Sequence, residues 1–406
     1  MSKTPKLRFK EFSGDWEHKP LDKIVERVTR KNKGTISKLP LTISAQYGLV
    51  DQETFFNKTV ASKNLECYYL LENGEFAYNK SYSNGYPWGA IKRLDKYDKG
   101  VLSSLYICFR ILEKANSDYI KQYFETSKWY KEVSMIAVEG ARNHGLLNIS
   151  VSDFFDTLHY IPSKEEQEKI ASFFSLIDDK ISLQGEKVEA LKDYKKGMMQ
   201  KIFSRELRFK DDDGRDYPEW EEKKLNEILL ERKEKNNGNL RVCSVAVRKG
   251  VIDQIEHLGR SFAAKDTSNY NLVKYGDIIY TKSPTGDFPY GIIKQSFLNE
   301  NVVVSPLYGV FKPLNFNLGY ILHCYFYYRE NTNNYLYSII QKGAKNTINI
   351  TNTTFLSKSL ILPIDENEQM KIAKLFIELD NKINKEQEKL DYLNEYKKGL
   401  LQQMFV

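Results

Sequence analysis

One feature limits what this chain can fold into more than any other: much of it is written twice. The run IPSKEEQEKIASFFSLIDDKI from Ile161 returns as LPIDENEQMKIAKLFIELDNKI from Leu362. Gly74, Tyr78, Lys80, Ser81, Pro87, Gly89, Ile91, Lys92, Ser103, Leu105 and Tyr106 return as Gly276, Tyr280, Lys282, Ser283, Pro289, Gly291, Ile293, Lys294, Ser305, Leu307 and Tyr308, all 202 residues later. The entrances agree too, with Leu7-Arg8-Phe9-Lys10 and Trp16 matched by Leu207-Arg208-Phe209-Lys210 and Trp220. Solenoid repeats run roughly 20 to 50 residues, far shorter than this period. The pattern is a tandem duplication of a whole domain, which predicts two equivalent sites.

Each half reads as a mixed α+β domain followed by a long helix. LPLTISAQYGLV, GEFAYNK, GAIKRL and GVLSSLYICFRI have the β-branched and aromatic content of strands. A helical period follows over 118–137, and the second half repeats the order up to LGYILHCYFYYREN. In the long runs, Ile170, Phe174, Ile177, Ile181, Val188, Leu191, Tyr194, Met198 and Ile202 keep one apolar stripe. Ile372, Phe376, Leu379, Ile383, Leu390, Leu393, Tyr396, Leu400 and Met404 repeat it, with Gln184 and Glu386 at the skipped core position.

Both runs start after a proline with acids crowding the first turn, and the basic pairs Lys195-Lys196 and Lys397-Lys398 are expected at their ends, where they suit the negative pole of the helix dipole. About 40 residues at ~1.5 Å each make a rod of roughly 60 Å. Taken singly, such a stripe also fits a core-facing helix or a homodimeric coiled coil. Two matching stripes in one chain favour an intramolecular antiparallel pair that spaces the globular halves. The expected domains are 1–160, a helix over 161–203, 204–361, and a helix over 362–406, with the acidic, turn-rich DDDGRDYPEW leading into the second half.

Charge is placed unevenly. The chain carries +7, yet residues 163–203 sum to 0 and 363–406 to −2, so the globular halves hold the basic excess. Such an excess suits contact with phosphates and is also common on solvated surfaces. No run approaches the ~20 apolar residues of a membrane span, and MSKTPKLRFKEF lacks an apolar signal core, so a cytoplasmic protein is expected. Cys67, Cys108, Cys243 and Cys324 form no Cys-x-x-Cys pair and read as buried free thiols.

The familiar catalytic patterns are missing. There is no Gly-x-Gly-x-x-Gly, no Gly-x-x-x-x-Gly-Lys-Ser/Thr and no Asp/Asn-Pro-Pro-aromatic run, and the five histidines show no ligand spacing. Glu17-His18-Lys19 and Glu222-Lys223-Lys224 offer the Glu-x-Lys end of a nuclease metal site, but each is expected ahead of a helix rather than at the end of a strand. No metal or cofactor site is expected in this chain.

The shared residues suit binding better. Lys80 and Lys282 follow a strand, Lys92 and Lys294 follow Gly-x-Ile, and Gly140-Ala141-Arg142-Asn143 recurs as Gly343-Ala344-Lys345-Asn346. Small residues beside cations let backbone approach DNA, with Arg or Lys on phosphate or guanine and Asn on adenine. The plainer alternative is turn glycines beside solvated cations. Arg248-Lys249 and the stretch from Arg260 to Lys265 lack a close counterpart in the first half, where Gln46, Gln52, Asn57, Lys58 and Lys63 stand instead. A duplicated frame with divergent loops reads as two modules with different targets.

On these motifs the chain strongly resembles the specificity (S) subunit of type I restriction-modification systems over its whole length. The carriers are Pro162 with Glu166-Gln167 and Ile170-Ala171, Pro363 with Glu368-Gln369 and Ile372-Ala373, Ile177-Asp178 and Leu379-Asp380, and the Tyr-Lys-Lys-Gly runs at Tyr194 and Tyr396. The resemblance implies two target recognition domains that read the two parts of an asymmetric, bipartite duplex DNA site. It implies spacer helices that set the gap and dock two modification (methyltransferase) subunits. S-adenosylmethionine would sit in those subunits, with ATP and Mg in restriction subunits, so this chain alone would not be an enzyme. A stand-alone nuclease and a purely structural coiled-coil adaptor are the alternatives.

Overall fold

The computed structural model describes residues 3–58, 60–83, 85–137, 147–238, 240–342 and 348–406. It divides into two compact units, Met1–Glu186 with Glu388–Val406, and Lys187–Gln387.

In the first unit the central element is a four-stranded antiparallel sheet in the order Val25–Arg27, Ile107–Ile111, Phe76–Asn79, Ala90–Arg93. Side chains alternate across a strand. Here Phe76, Tyr78, Ile91, Ile107 and Phe109 enter one core with Tyr119, Ile120 and Tyr123 of the helix Ser117–Phe124. Ala77, Ala90 and Cys108 enter a second core with Leu41, Ile43, Leu49, Leu71 and Leu102. A sheet buried on both faces needs apolar residues at successive positions, which is why its strands read as runs rather than as strict alternation. The second core is closed by two short antiparallel ladders, Leu41–Ser44 on Gly48–Asp51 and Tyr69–Glu72 on Lys99–Leu102.

The second unit repeats this plan strand for strand. Its sheet orders Leu229–Glu231, Gly309–Pro313, Ile278–Tyr280, Ile293–Gln295, and its ladders pair Cys243–Ala246 with Gly250–Asp253 and Asn271–Val273 with Val302–Val304. Again one face (Ile278, Tyr280, Ile293, Phe311) and the other (Ile279, Ile292, Val310) feed separate cores.

The central helix spans Lys164–Phe203 and the C-terminal helix Glu366–Met404. Their antiparallel packing is visible inside each unit: Ile170 and Phe174 join Leu400, Leu401 and Met404 in one core, and Met199 and Ile202 join Ile372 and Phe376 in the other. Ile383 is also buried, while Ile177, Ile181, Leu191, Leu379 and Leu393 are half-buried. Tyr194 and Tyr396 stand exposed. The stripe at that turn passes instead through Lys195, which is buried, and Lys397, which is half-buried. Those lysines therefore do not sit at the helix ends, which lie further on at Phe203 and Met404.

Other expectations also change. The helix expected over 118–137 is two helices, Ser117–Phe124 and Tyr130–Ile136. Between them the Thr126 hydroxyl donates to Tyr123 O at 2.7 Å and accepts from Lys128 N at 3.1 Å, offering the backbone a local alternative to the helix. Buried Trp129 fixes the break by donating its indole N–H to Phe124 O at 3.2 Å. The Glu-x-Lys tripeptides stand ahead of short helices, Leu21–Lys23 and Leu225–Ile228, but they do so as strands, Glu17–Pro20 paired with Leu158–Ile161 and Glu221–Lys224 paired with Ser359–Leu362. Their acids are engaged, Glu17 by Lys19 and Glu222 by the Ser359 hydroxyl, and no metal-ligating cluster occurs among the described residues. Three of the cysteines are buried, and Cys67 is exposed. Among the described residues no helix is long and apolar enough to cross a membrane.

Candidate nucleic-acid interface

The repeated motifs tie each globular part to its helices. Glu166 and Glu368 are almost fully buried, and each receives the guanidinium of the entrance arginine in two-point contact: Arg8 at 2.8 and 2.8 Å, Arg208 at 3.2 and 3.1 Å. Glu368 also accepts from Trp220 Nε1 at 3.1 Å, whereas the Trp16 indole N–H has no partner among the described residues. The adjoining glutamines clamp the helix starts. Gln167 donates to Pro162 O at 3.0 Å and accepts from Asn116 N at 2.8 Å; Gln369 donates to Pro363 O at 2.8 Å and accepts from Asn315 Nδ2 at 2.9 Å. Asn116 and Asn315 in turn cap the helices that begin at Ser117 and Phe316.

A second repeated tie joins the two long helices. Asp178 holds Lys397 at 2.6 Å in the first unit, and Asp380 holds Lys195 at 2.5 Å in the second. Each carboxylate also takes a donor from its globular part, Gln122 at 2.8 Å and the Tyr320 hydroxyl at 2.5 Å. The Asp after Ile177 or Leu379 and the first Lys of Tyr-Lys-Lys-Gly thus form one reciprocal device. Sequence reasoning placed these residues in motifs and missed that they meet.

The paired cations of the sheet behave differently. Lys92 is buried and holds both Glu125 oxygens at 2.6 and 2.7 Å. Lys294, also buried, faces no carboxylate at salt-bridge distance among the described residues and lies 4.4 Å from the centre of the Tyr327 ring. Burial, aided by Lys195, pushes its ammonium down to about 8. Neither lysine is placed to reach a ligand at the surface. Lys80 is half-buried and donates to Ile149 O at 3.1 Å, and burial lowers its proton affinity. Burial also lowers that of half-buried Lys282, with Glu231 opposing, and its backbone sits in the left-handed region at φ 51°. Arg142, Asn143, Lys345 and Asn346 lie outside the described residues.

The glycines beside these lysines answer an internal demand. A Cβ at Gly89 would lie 2.1 Å from Asn79 O, and one at Gly291 would lie 3.0 to 3.1 Å from Thr281 Oγ1, Lys282 N and Ser283 N. Both have positive φ, so the close approach and the backbone region each call for glycine.

Arg248 and Lys249 stand exposed at the tip of the hairpin formed by Cys243–Ala246 and Gly250–Asp253. In the first unit the same tip carries exposed Gln46 and Tyr47. Each tip meets the loop that follows the Lys80 or Lys282 strand: the Tyr86 hydroxyl donates to Ala45 O at 3.3 Å, and Gly286 lies against Val247. Beside the first tip is a cavity of about 400 Å³ lined by Tyr47, Tyr86, Arg93, Gln122 and Lys397 among others. Each tip is exposed and polar on a preserved frame, and among the described residues no group of His, Cys, Asp or Glu could hold a metal ion.

Residues 217–395 match the family model of the type I restriction modification DNA specificity domain. Residues 217–395 thus form a domain of that DNA specificity family. Its role is DNA recognition in a type I restriction-modification system. A search of curated proteins returns no match. Among solved structures, the chain is similar to the S subunit of a type I restriction-modification system from M. genitalium, at 15% identity and TM-score 0.56, with 99% of each chain covered. That likeness shows the same fold from end to end. Weaker likenesses are to a chain from a study of complex assembly and conformational transition of the type I R-M system (14% identity, 95% and 96% covered, TM-score 0.49) and to the HsdS subunit from Thermoanaerobacter tengcongensis (14%, 96% and 96%, TM-score 0.43). The family match falls on the second copy, and the strand-for-strand repeat extends the specificity architecture to the first.

Proposed function

We propose that the chain reads a bipartite, asymmetric duplex DNA site, one half-site with residues 1–160 and the other with residues 204–361, and that the helices over 161–203 and 362–406 set the gap between them. The observation that carries this reading is the repeat itself: two copies share strand order, glycines and helix ties, while their exposed hairpin tips differ. A partner present in two copies matches the reciprocal Asp–Lys device, and we assign the helical frame to two methyltransferase subunits that carry S-adenosylmethionine. Restriction subunits would bring ATP and Mg. The chain by itself is then non-catalytic, and its place is the cytoplasm. Lys80, Lys282, Arg142, Lys345, Arg248 and Lys249 are assigned to DNA, with Asn143 and Asn346. Lys92 and Lys294 are assigned to support beneath that surface.

Methylome sequencing of cells that express the chain with its modification subunit tests this: a bipartite methylated sequence is expected, and its absence overturns the reading. Inserting four residues, about one helical turn, near Gln184 is expected to lengthen the gap and leave both half-sites unchanged.

A further inference from the structure

The two hairpin tips are built on one backbone. In the first unit four residue pairs, from Leu41 with Asp51 to Ser44 with Gly48, close the ladder; in the second the pairs run from Cys243 with Asp253 to Ala246 with Gly250. Both turns end in a glycine of positive φ, Gly48 at 79° and Gly250 at 67°. Both ladders lead into a short helix capped by an aspartate, Asp51 accepting from Glu53 N at 3.0 Å and Asp253 from Ile255 N and Glu256 N at 2.8 and 3.0 Å. The buried first strands, Leu41-Thr42-Ile43-Ser44 and Cys243-Ser244-Val245-Ala246, exchange residues but stay uncharged, whereas the tips change charge: Ala45-Gln46-Tyr47 in one copy, Val247-Arg248-Lys249 in the other.

The state of the arginines points the same way. In the second unit Arg208, Arg215, Arg232, Arg241 and Arg329 each hold a carboxylate, and Arg260 lies 4.5 Å over the Phe262 ring. Arg248 and Arg205 have no carboxylate, hydrogen-bond or ring partner among the described residues, Arg205 in the turn after the central helix and Arg248 at the hairpin tip, and neither does the Gln46 amide. An uncommitted guanidinium donates in a fork that matches guanine O6 and N7, and a glutamine amide matches adenine N6 and N7. Such pairs need a tip that enters the major groove, and a two-stranded ribbon fits that groove.

We propose, resting on the bipartite reading above, that the tips are base-reading elements: Arg248 reads a guanine in the half-site of the second unit, and Gln46 reads an adenine in the half-site of the first.

The test is selection from a randomised duplex library by the full chain in complex with its modification subunits, comparing wild type, Arg248→Ala, Arg248→Gln and Gln46→Ala. Arg248→Ala is expected to lose roughly 5- to 150-fold of discrimination at one guanine, and Arg248→Gln to shift that position toward adenine. Gln46→Ala should relax one adenine in the other half-site and leave the guanine alone. All three substitutions are at exposed positions, and an unchanged melting temperature separates lost reading from lost folding. If Arg248→Ala and Gln46→Ala select the wild-type sequence with unchanged discrimination, the proposal is overturned while the bipartite reading stands. If wild type itself selects no bipartite sequence, the reading beneath it falls as well.

Discussion

The same lysine position has opposite surroundings in the two units. Lys92 is buried against Glu125, which takes its charge with two short hydrogen bonds. Lys294 is buried against the face of Tyr327, with Lys195 and the half-buried His323 ring adding no negative charge and Asp380 already occupied by Lys195 and Tyr320. A buried cation with a carboxylate is held; one without it is a strain on the fold. The duplication has therefore kept the lysine and changed its support, while the Arg–Glu and Asp–Lys ties to the helices stayed the same. Frame and surroundings have separated in the two copies at the resolution of single residues.

The largest effect should come from the shared tie. Glu368→Ala leaves Arg208 and Trp220 without their acceptor and is expected to cost about 3–5 kcal/mol of stability by urea unfolding. Glu166→Ala should cost about 1 kcal/mol less, because the Trp16 indole makes no bond that the change would break. Equal costs would show that the indole contact contributes nothing.

Next comes the lysine pair. Lys92→Met should destabilise the first unit by leaving Glu125 beside an apolar chain, whereas Lys294→Met should stabilise the second by about 1–3 kcal/mol. The pH dependence follows from the sign. The Lys294 ammonium falls to about 8 in the folded state from an ordinary value near 10.5, so between these values the unfolded chain binds more protons and stability rises with pH. Thermal melts from pH 8 to 10 should show that rise in wild type and a flatter profile in Lys294→Met.

The smallest effect concerns the second lysine pair. Lys282→Ala should lower the slope of log K against log salt by about 0.9, as expected for one lost phosphate contact. Lys80, whose ammonium is already given to Ile149 O, should show a smaller change in slope and a loss of stability of about 1 kcal/mol. Identical slopes for the two variants would place both lysines in the same role.

The long helices were legible because their apolar residues recur at helical spacing over many turns, and the equivalence of the halves because whole motifs return at one offset. The break at Thr126 was not legible, since a hydroxyl that bonds its own backbone leaves the apolar spacing on either side intact. Nor was the exposure of Tyr194 and Tyr396, where the neighbouring lysines reach Asp380 and Asp178 on the opposite helix. Among the candidate contacts, Arg248 and Lys249 stand exposed where loop chemistry placed them, while Lys92 and Lys294 look identical to them in sequence and lie in the interior.

By itself the sequence determined that two like domains exist, that each is followed by a long amphipathic helix, and which motifs recur. These are properties of local period and of repetition, which a linear string records. Tertiary structure decided the sheet order, the Arg8–Glu166 and Lys397–Asp178 pairings and the fate of each lysine. Those depend on which residues hundreds of positions apart share a low-dielectric interior, where a charge is tolerated only beside its partner, and nothing in the neighbouring residues encodes that.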